Sequence, residues 1–320
     1  MTRYIHQTVL LGKVETTQNT DAAPTGTADA IQVFGVSFPP IESTVIDREF
    51  VGDGLGGFEQ QETSALAKIT YSVELSGSGT AGTAPQWGDL LIACGMAEAL
   101  LSTPSRVEYS LVSTGLKTAT HKYYDAGYVH AMLGCMGNAK ISIKKGARPT
   151  ITFDYLGLDG GESVVANPSA TLTAWKTPPV IGALTVVDIT LGATYSGGVL
   201  SGGTVYPSTG IEIDLGNKPE YITLCSQERI DITSRDTTGS IELELTPAQE
   251  LTLAAAVRAC TTQSIAFTLG TVAGNKIILF SEGVQLAKRD KTVLNNVRTI
   301  SFSLRFPKVS GNVPFRIVQV

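Results

Sequence analysis

Over residues 68–75 the chain reads KITYSVEL, with Ile69, Tyr71, Val73 and Leu75 on one side of an extended backbone and Thr70, Ser72 and Glu74 on the other. That period of two predicts a half-buried β-strand. The alternation returns over 149–157, where Ile151, Phe153 and Tyr155 share a face, and further strands are expected at 106–113, 127–133 and 139–145. Beyond residue 180 the pattern resumes. The stretch SIELEL (240–245) sets Ile241, Leu243 and Leu245 against Glu242 and Glu244. Strands are expected near 263–269 and 276–281, and a last one points Ile300, Phe302, Leu304 and Phe306 the same way. On pattern alone, the polar sides of these strands read as ordinary solvated faces.

Two segments break the period of two. In GTAPQWGDLLIACG (82–95), Trp87, Leu90, Leu91 and Cys94 form a stripe at helical spacing. Thr83 and Gln86 fit a capping box, Pro85 suits a first turn, Asp89 lies near the positive end of the helix dipole, and Gly95 can close the helix. Gly88 completes the run. This helix is expected to cover an open sheet face, with Trp87 packing into the core rather than serving as a surface anchor. In TPAQELTLAAAVRAC (246–260), Thr246 is the expected N-cap, Pro247 the first helical residue and Gln249 the partner in a second capping box.

Strand, Thr-capped helix, strands and closing strand thus occur twice, at an offset of roughly 150–165 residues, which indicates an internal duplication. The closing strands share wording, Thr150-Ile151-Thr152-Phe153 against Thr299-Ile300-Ser301-Phe302. The expected organisation is a turn-rich N-terminal arm and long loop over 1–66, a first core over 67–157, a Gly-, Pro- and Ser-rich linker over 158–180, and a second unit over 181–320.

Composition supports an all-β chain: charged residues make up only 17%, and 33 Gly with 14 Pro supply many turns. So few charges suit a surface partly covered by copies of the same chain. The net charge of −5 argues against a protein that grips nucleic acid by its phosphates. It does not argue against one that lets DNA pass. The most apolar stretches, 89–101 and 178–187, are too short to span a bilayer, so no membrane anchor is expected. The first residues lack a signal-peptide core, and synthesis and folding in a cytoplasm are expected. Cys94, Cys135, Cys225 and Cys260 have no metal-ligand spacing and read as reduced, mostly buried hydrophobes.

Candidate chemistry is thin. Gly52, Gly54 and Gly57 spell a G-x-G-x-x-G, but without a strand before and a helix after it reads as a loop. The three histidines, His6, His121 and His130, sit in no ligand spacing, and there is no G-x-S-x-G elbow. The acidic turn LDGGE (158–162) lacks the ligand spacing of a calcium loop. No catalytic residue, metal or cofactor is assigned.

GTAPQWGDLLIACG resembles a hallmark segment of the major tail tube proteins of long-tailed bacteriophages, in which A-P-x-W-G-D-L-L recurs. The stretch DAGYVHAMLGCMGNAKISIKKGARPTITFDYLG (125–157) is similar to theirs as well, and beyond 180 the likeness is looser. The resemblance implies two tandem β-sandwich or half-barrel domains, each flanked by one α-helix. It also implies a non-enzymatic virion protein whose copies join edge to edge into rings and stack as a conduit for DNA. With two units per chain, three copies would make a pseudo-hexameric ring, though a second half serving as decoration would require six. Implied partners are the protein itself, the tape measure, the tail terminator and distal tail or baseplate proteins. Lumen candidates are Glu74, Glu242 and Glu244, and candidates for a loop reaching the next ring are Asp53, Gly54, Leu55 and Phe58. The inner tube of a contractile tail or of a secretion device is the nearest alternative. A β-sandwich binding module is a more distant one, weakened by having only two tryptophans, Trp87 and Trp175.

Overall fold

The computed structural model describes residues 4, 6–38, 41–48, 57–308 and 314–320. Its elements are strands, apart from two helices. The first half contains β1 (Thr8–Val14), β2 (Phe34–Ser37), β3 (Glu42–Asp47), β4 (Gln60–Glu74), α1 (Gly88–Ile92), β5 (Met96–Ser102), β6 (Ser105–Leu111), β7 (Ala119–Asp125), β8 (Tyr128–Lys144) and β9 (Thr150–Ser163). The second half begins with β10 (Val186–Leu191), β11 (Thr194–Ser196), β12 (Val199–Ser201), β13 (Thr204–Tyr206) and β14 (Ser208–Asp214). It continues with β15 (Asn217–Leu224), β16 (Gln227–Arg235), β17 (Thr238–Leu243), α2 (Pro247–Arg258), β18 (Thr262–Leu269), β19 (Ile277–Leu294), β20 (Val297–Arg305) and β21 (Arg316–Gln319).

Antiparallel pairing gives both halves the same order. In the first, β1 pairs with β7, β7 with β8, β8 with β9 and β9 with β4. In the second, β10 pairs with β18, β18 with β19, β19 with β20 and β20 with β17. Registers match as well. Val73 lies opposite Ile151 and Leu243 opposite Ile300, while Ser142 faces Thr150 and Thr292 faces Thr299.

The halves are nevertheless parts of one sheet. β14 pairs with β17 on one edge and with the end of β8 on the other, and β21 bridges β19 and β6. One apolar cluster runs through both, built from the inward positions that the alternation predicts: Tyr71, Val73, Ile141, Ile151, Phe153, Ile211, Ile241 and Phe302 are all buried in it. The glycine-rich run after β4 is held too. Gly79 N–H donates to the Gly274 carbonyl (3.0 Å), and the Gln319 amide donates to Ser78 Oγ (2.7 Å).

Several boundaries differ from the sequence expectation. The segments 127–133 and 139–145 are one strand, β8, interrupted by a bulge around Gly134. Residues 8–14, expected within an arm, form β1, with Leu10 and Leu11 buried. β9 continues to Ser163, so the irregular connection starts later than 158. That connection lies along the first half: Asn167 Nδ2 donates to the Gln7 carbonyl (2.8 Å) and Trp175 Nε1 to the Ala30 carbonyl (3.0 Å).

Candidate functional site

α2 forms as its sequence dictates. Thr246 Oγ1 accepts from Gln249 N–H, the Gln249 side chain accepts from Thr246 N–H, and Pro247 opens the first turn. α1 does not. It begins at Gly88 with Trp87 in the N-cap position, and no side chain caps it, so the capping box expected from Thr83 and Gln86 is absent. Tertiary contacts override it. Trp87 Nε1 donates to the Ser76 carbonyl (2.7 Å) and its ring packs on Tyr109, centroids 5.2 Å apart. Gly88 N–H closes a turn onto the Pro85 carbonyl (2.9 Å), leaving Thr83 and Pro85 upstream of the helix. Gly88 is required by packing, because a Cβ there would collide with the Tyr109 hydroxyl. Leu90 and Leu91 are buried with Trp87, as the stripe predicts, while Asp89 in the first turn is exposed. The helix therefore plugs the core and presents no groove.

On the opposite side of the joined sheet, polar residues lie in register from strand to strand. One row runs Glu74, Thr150, Ser142, Glu212, Ser240, Ser303 across β4, β9, β8, β14, β17 and β20. The next runs Ser72, Thr152, Lys140, Asp214, Thr238, Arg305. In these two rows every strand contributes Ser, Thr or a charge, so the face is wettable across both halves. Cross-strand hydroxyl contacts such as Ser72–Thr152 (2.8 Å) and Thr292–Thr299 (2.8 Å) tie neighbouring strands together on it.

The sequence-predicted carboxylates fall on this face with different surroundings. Glu74 pairs with Arg148 (2.6 Å). Glu242 accepts from Thr292 (2.7 Å), Thr299 (2.6 Å) and Thr209 (3.0 Å). These hydroxyls, Thr292 first, hold its carboxyl below the usual range, so it stays ionised at neutral pH. Glu244 is exposed. Sequence reasoning overlooked Lys140, Lys144, Glu212 and Asp214, because the β8–β14 pairing that brings them together is non-local. Lys144 contacts Glu212 (2.7 Å) and lowers its pKa, and Lys140 contacts Asp214 (3.5 Å). The face is thus charge-balanced and hydroxyl-rich rather than strongly acidic. Phe58, beside β4, is 47% exposed, whereas Asp53, Gly54 and Leu55 lie outside the described residues.

Among the described residues, a cluster in the interior has the residue types of a catalytic site. Tyr71 Oη lies 3.0 Å from His121 Nε2, Tyr155 Oη donates to the Leu90 carbonyl (2.6 Å), and Cys94 Sγ is 3.6 Å from Tyr155 Oη. Burial raises the Cys94 thiol to about 12 and lowers His121 to about 3, so the thiol stays protonated and the imidazole neutral. All four side chains are sealed from solvent, which makes this set packing. Glu15, also buried, accepts from Thr118, Thr120, Asn19 N–H and Gly134 N–H, so the bulge in β8 supplies a donor to a core carboxylate. Cys225 and Cys260 are exposed, against the expectation of mostly buried thiols. Among the described residues no cluster of three or more His, Cys, Asp or Glu could hold a metal, and no helix is long and apolar enough to cross a membrane.

The family model described as phage tail tube protein matches residues 6–306. No curated protein matches the chain.

Proposed function

The chain belongs to the phage tail tube protein family and is a structural component of a virion tail; from that premise we propose that it assembles with itself into stacked rings whose bore conducts DNA. The observation that carries this reading is the polar face, continuous in register over both halves and backed everywhere by an apolar core. A sheet of that kind suits the wall of a water-filled bore. The hydroxyls keep it hydrated, and lysines neutralised by Glu212 and Asp214 offer little hold on phosphates.

The repeated pairing order supports two tube units per chain, so that three copies complete a pseudo-hexameric ring. Each copy carries a net charge of −5, so stacked rings are expected to repel DNA weakly overall. The protein acts without catalysis, and its further partners are the tape measure, the tail terminator and distal tail or baseplate proteins. Synthesis and assembly take place in the host cytoplasm.

Electron microscopy of the purified protein over a concentration series, with end-on views averaged, tests this. Hollow rings or tubes with threefold and pseudo-sixfold symmetry are expected. True sixfold rings would keep the conduit and overturn the count of three, and compact monomers at every concentration would overturn self-assembly. A second test addresses the bore. Replacing Glu74 and Glu244 by Lys in assembled tails should slow DNA release by roughly tenfold or more. An unchanged release rate would remove these residues from the lumen.

A further inference from the structure

The pairing that joins the two halves has a counterpart left open at the outer ends of the chain. β8 is bordered on one edge by β7 over residues 128–135 and then, past the bulge, by β14 over residues 140–144. β19 holds the same place in the second half. Its corresponding edge is bordered by β18 up to Gln285, and no strand among the described residues pairs with that edge over residues 289–294. The strand that would fill it also has a counterpart. β14 borders β17 in the second half, and β2 borders β4 at the matching register: Phe34 faces Ser72 where Gly210 faces Glu242. β14 is gripped on both edges; among the described residues β2 pairs on one only, and three of its four residues are exposed.

The insertions behind these strands agree. Between β14 and β17 the chain makes the β15–β16 hairpin, which lies against the first half. Ile230 is fully buried there against Met136 and Leu158, and Arg235 donates to the Gly95 carbonyl (3.1 Å). Between β2 and the inner part of β4 the chain makes the β3–β4 hairpin. Every residue of β3 is exposed, including Val45 and Ile46 at 45% and 59%. The β15–β16 hairpin has a half-unit to lie on, whereas β3, among the described residues, is exposed along its whole length.

We propose that successive copies of this chain bind one another by repeating the internal joint: β2 of one copy pairs antiparallel with residues 289–294 of the next, and its β3–β4 hairpin lies across that copy's second half as β15–β16 lies across the first. The registers fix the contacts. Gly210 pairs with Lys144 and Glu212 with Ser142, so Phe34 falls opposite Leu294, and Ser37 opposite Thr292, of the next copy. Phe34 and Leu294 are 46% and 40% exposed, and the pairing sets them against each other as a cross-strand apolar pair. The ion pair Lys144–Glu212 has no equivalent there, since those places hold Leu294 and Ser37. Contact between copies is therefore expected to depend less on salt than the internal joint does. Open strand edges, otherwise a route to indiscriminate aggregation, are here shaped to accept one partner.

This inference rests on the ring reading and is tested separately from it. Opposed residues in an antiparallel pair have Cα atoms about 4.5–5.5 Å apart, within reach of a disulfide. In a background with the exposed thiols removed (Cys225→Ser, Cys260→Ser), the double variant Phe34→Cys, Leu294→Cys is assembled, oxidised and run on a non-reducing gel. Linked species of two and three chains, ending at three, are expected, with neither single variant giving the ladder. A ladder closing at six would keep the joint and overturn the three-copy ring. Rings seen by microscopy without linkage between chains, or linkage confined to single chains, would overturn the joint and leave the ring reading intact. Protein that stays monomeric and unlinked at every concentration would overturn both. As a second variant, Val45→Asp with Ile46→Asp should raise the concentration needed for rings at least tenfold while leaving the melting temperature of the isolated chain unchanged. Unaltered assembly would remove the hairpin from the contact.

Discussion

At equivalent places in the repeated pairing order, the first half buries Tyr71 and Tyr155 where the second buries Ile241 and Leu304. Around the two tyrosines the first half also encloses His121 and Cys94, and next to Thr118 and Thr120 it buries the carboxylate of Glu15. Among the described residues the second half buries no carboxylate and no imidazole; its most deeply buried large side chains are Phe267, Phe280, Phe302 and Phe315, and its buried polar groups are neutral ones such as Asn217, Thr268, Ser281 and Gln319. One topology is thus supported by two kinds of interior. The second interior is mostly aliphatic and phenyl, and the polar groups it buries do not change charge with pH. The mixed core needs each donor matched to an acceptor, so it is more exacting about side-chain position and more sensitive to acid.

The largest effect that sharpens this contrast is at Trp87. Trp87→Ala should cost about 3–5 kcal/mol, from a cavity in the mixed core and from loss of the bond to the Ser76 carbonyl. Urea unfolding of the isolated chain measures it, and a cost under about 1 kcal/mol would show that α1 is not the plug of that half. Acid comes next. The folded state holds His121 neutral down to about pH 3, while the unfolded chain protonates it near its ordinary value of 6.5. Between those limits the unfolded state binds more protons, so stability falls as pH falls. The contribution from this residue is about 2 kcal/mol lower at pH 5 than at pH 8. His121→Gln should flatten that part of the profile, and an unchanged slope would place the acid sensitivity elsewhere. The smallest effect lies in the second half. Thr246→Ala removes the α2 cap at a cost of ~1 kcal/mol, read from the same unfolding curves. A cost as large as that of Trp87→Ala would erase the distinction between a helix held by its own sequence and one held by its surroundings.

Those two helices also mark how far the sequence is legible. α2 was readable because its cap, its first-turn proline and its register lie within four adjacent residues and are solvent-exposed, so nothing distant competes. α1 offered the same local signs, but the indole of Trp87 is drawn to the Ser76 carbonyl and the Tyr109 ring. The chain then turns at Pro85–Gly88 and starts its helix at Gly88, three residues past the Pro85 expected in its first turn. Alternation located the core strands and the wettable face, because one side of each strand must be apolar and the other not. It could not assign neighbours. That β14 lies beside β8, or β21 beside β6, depends on edges far apart in the chain, and the charge pairs Lys144–Glu212 and Lys140–Asp214 became visible only with those pairings. Glu15 was missed for a related reason: its partners Thr118, Thr120 and Gly134 are remote in sequence, and a lone glutamate in a turn-rich stretch gives no sign of burial.

β21 closes the edge of β6, a strand made long before it, and buries Ile317 and Val318 in doing so. On the ribosome, therefore, the first half waits with an unfilled slot while the whole second half is translated. A product cut short before Arg316 would expose that slot and the matching edge of β19 together. Four residues thus decide whether two edges more than 150 residues apart in the chain are sealed or left as templates for other strands.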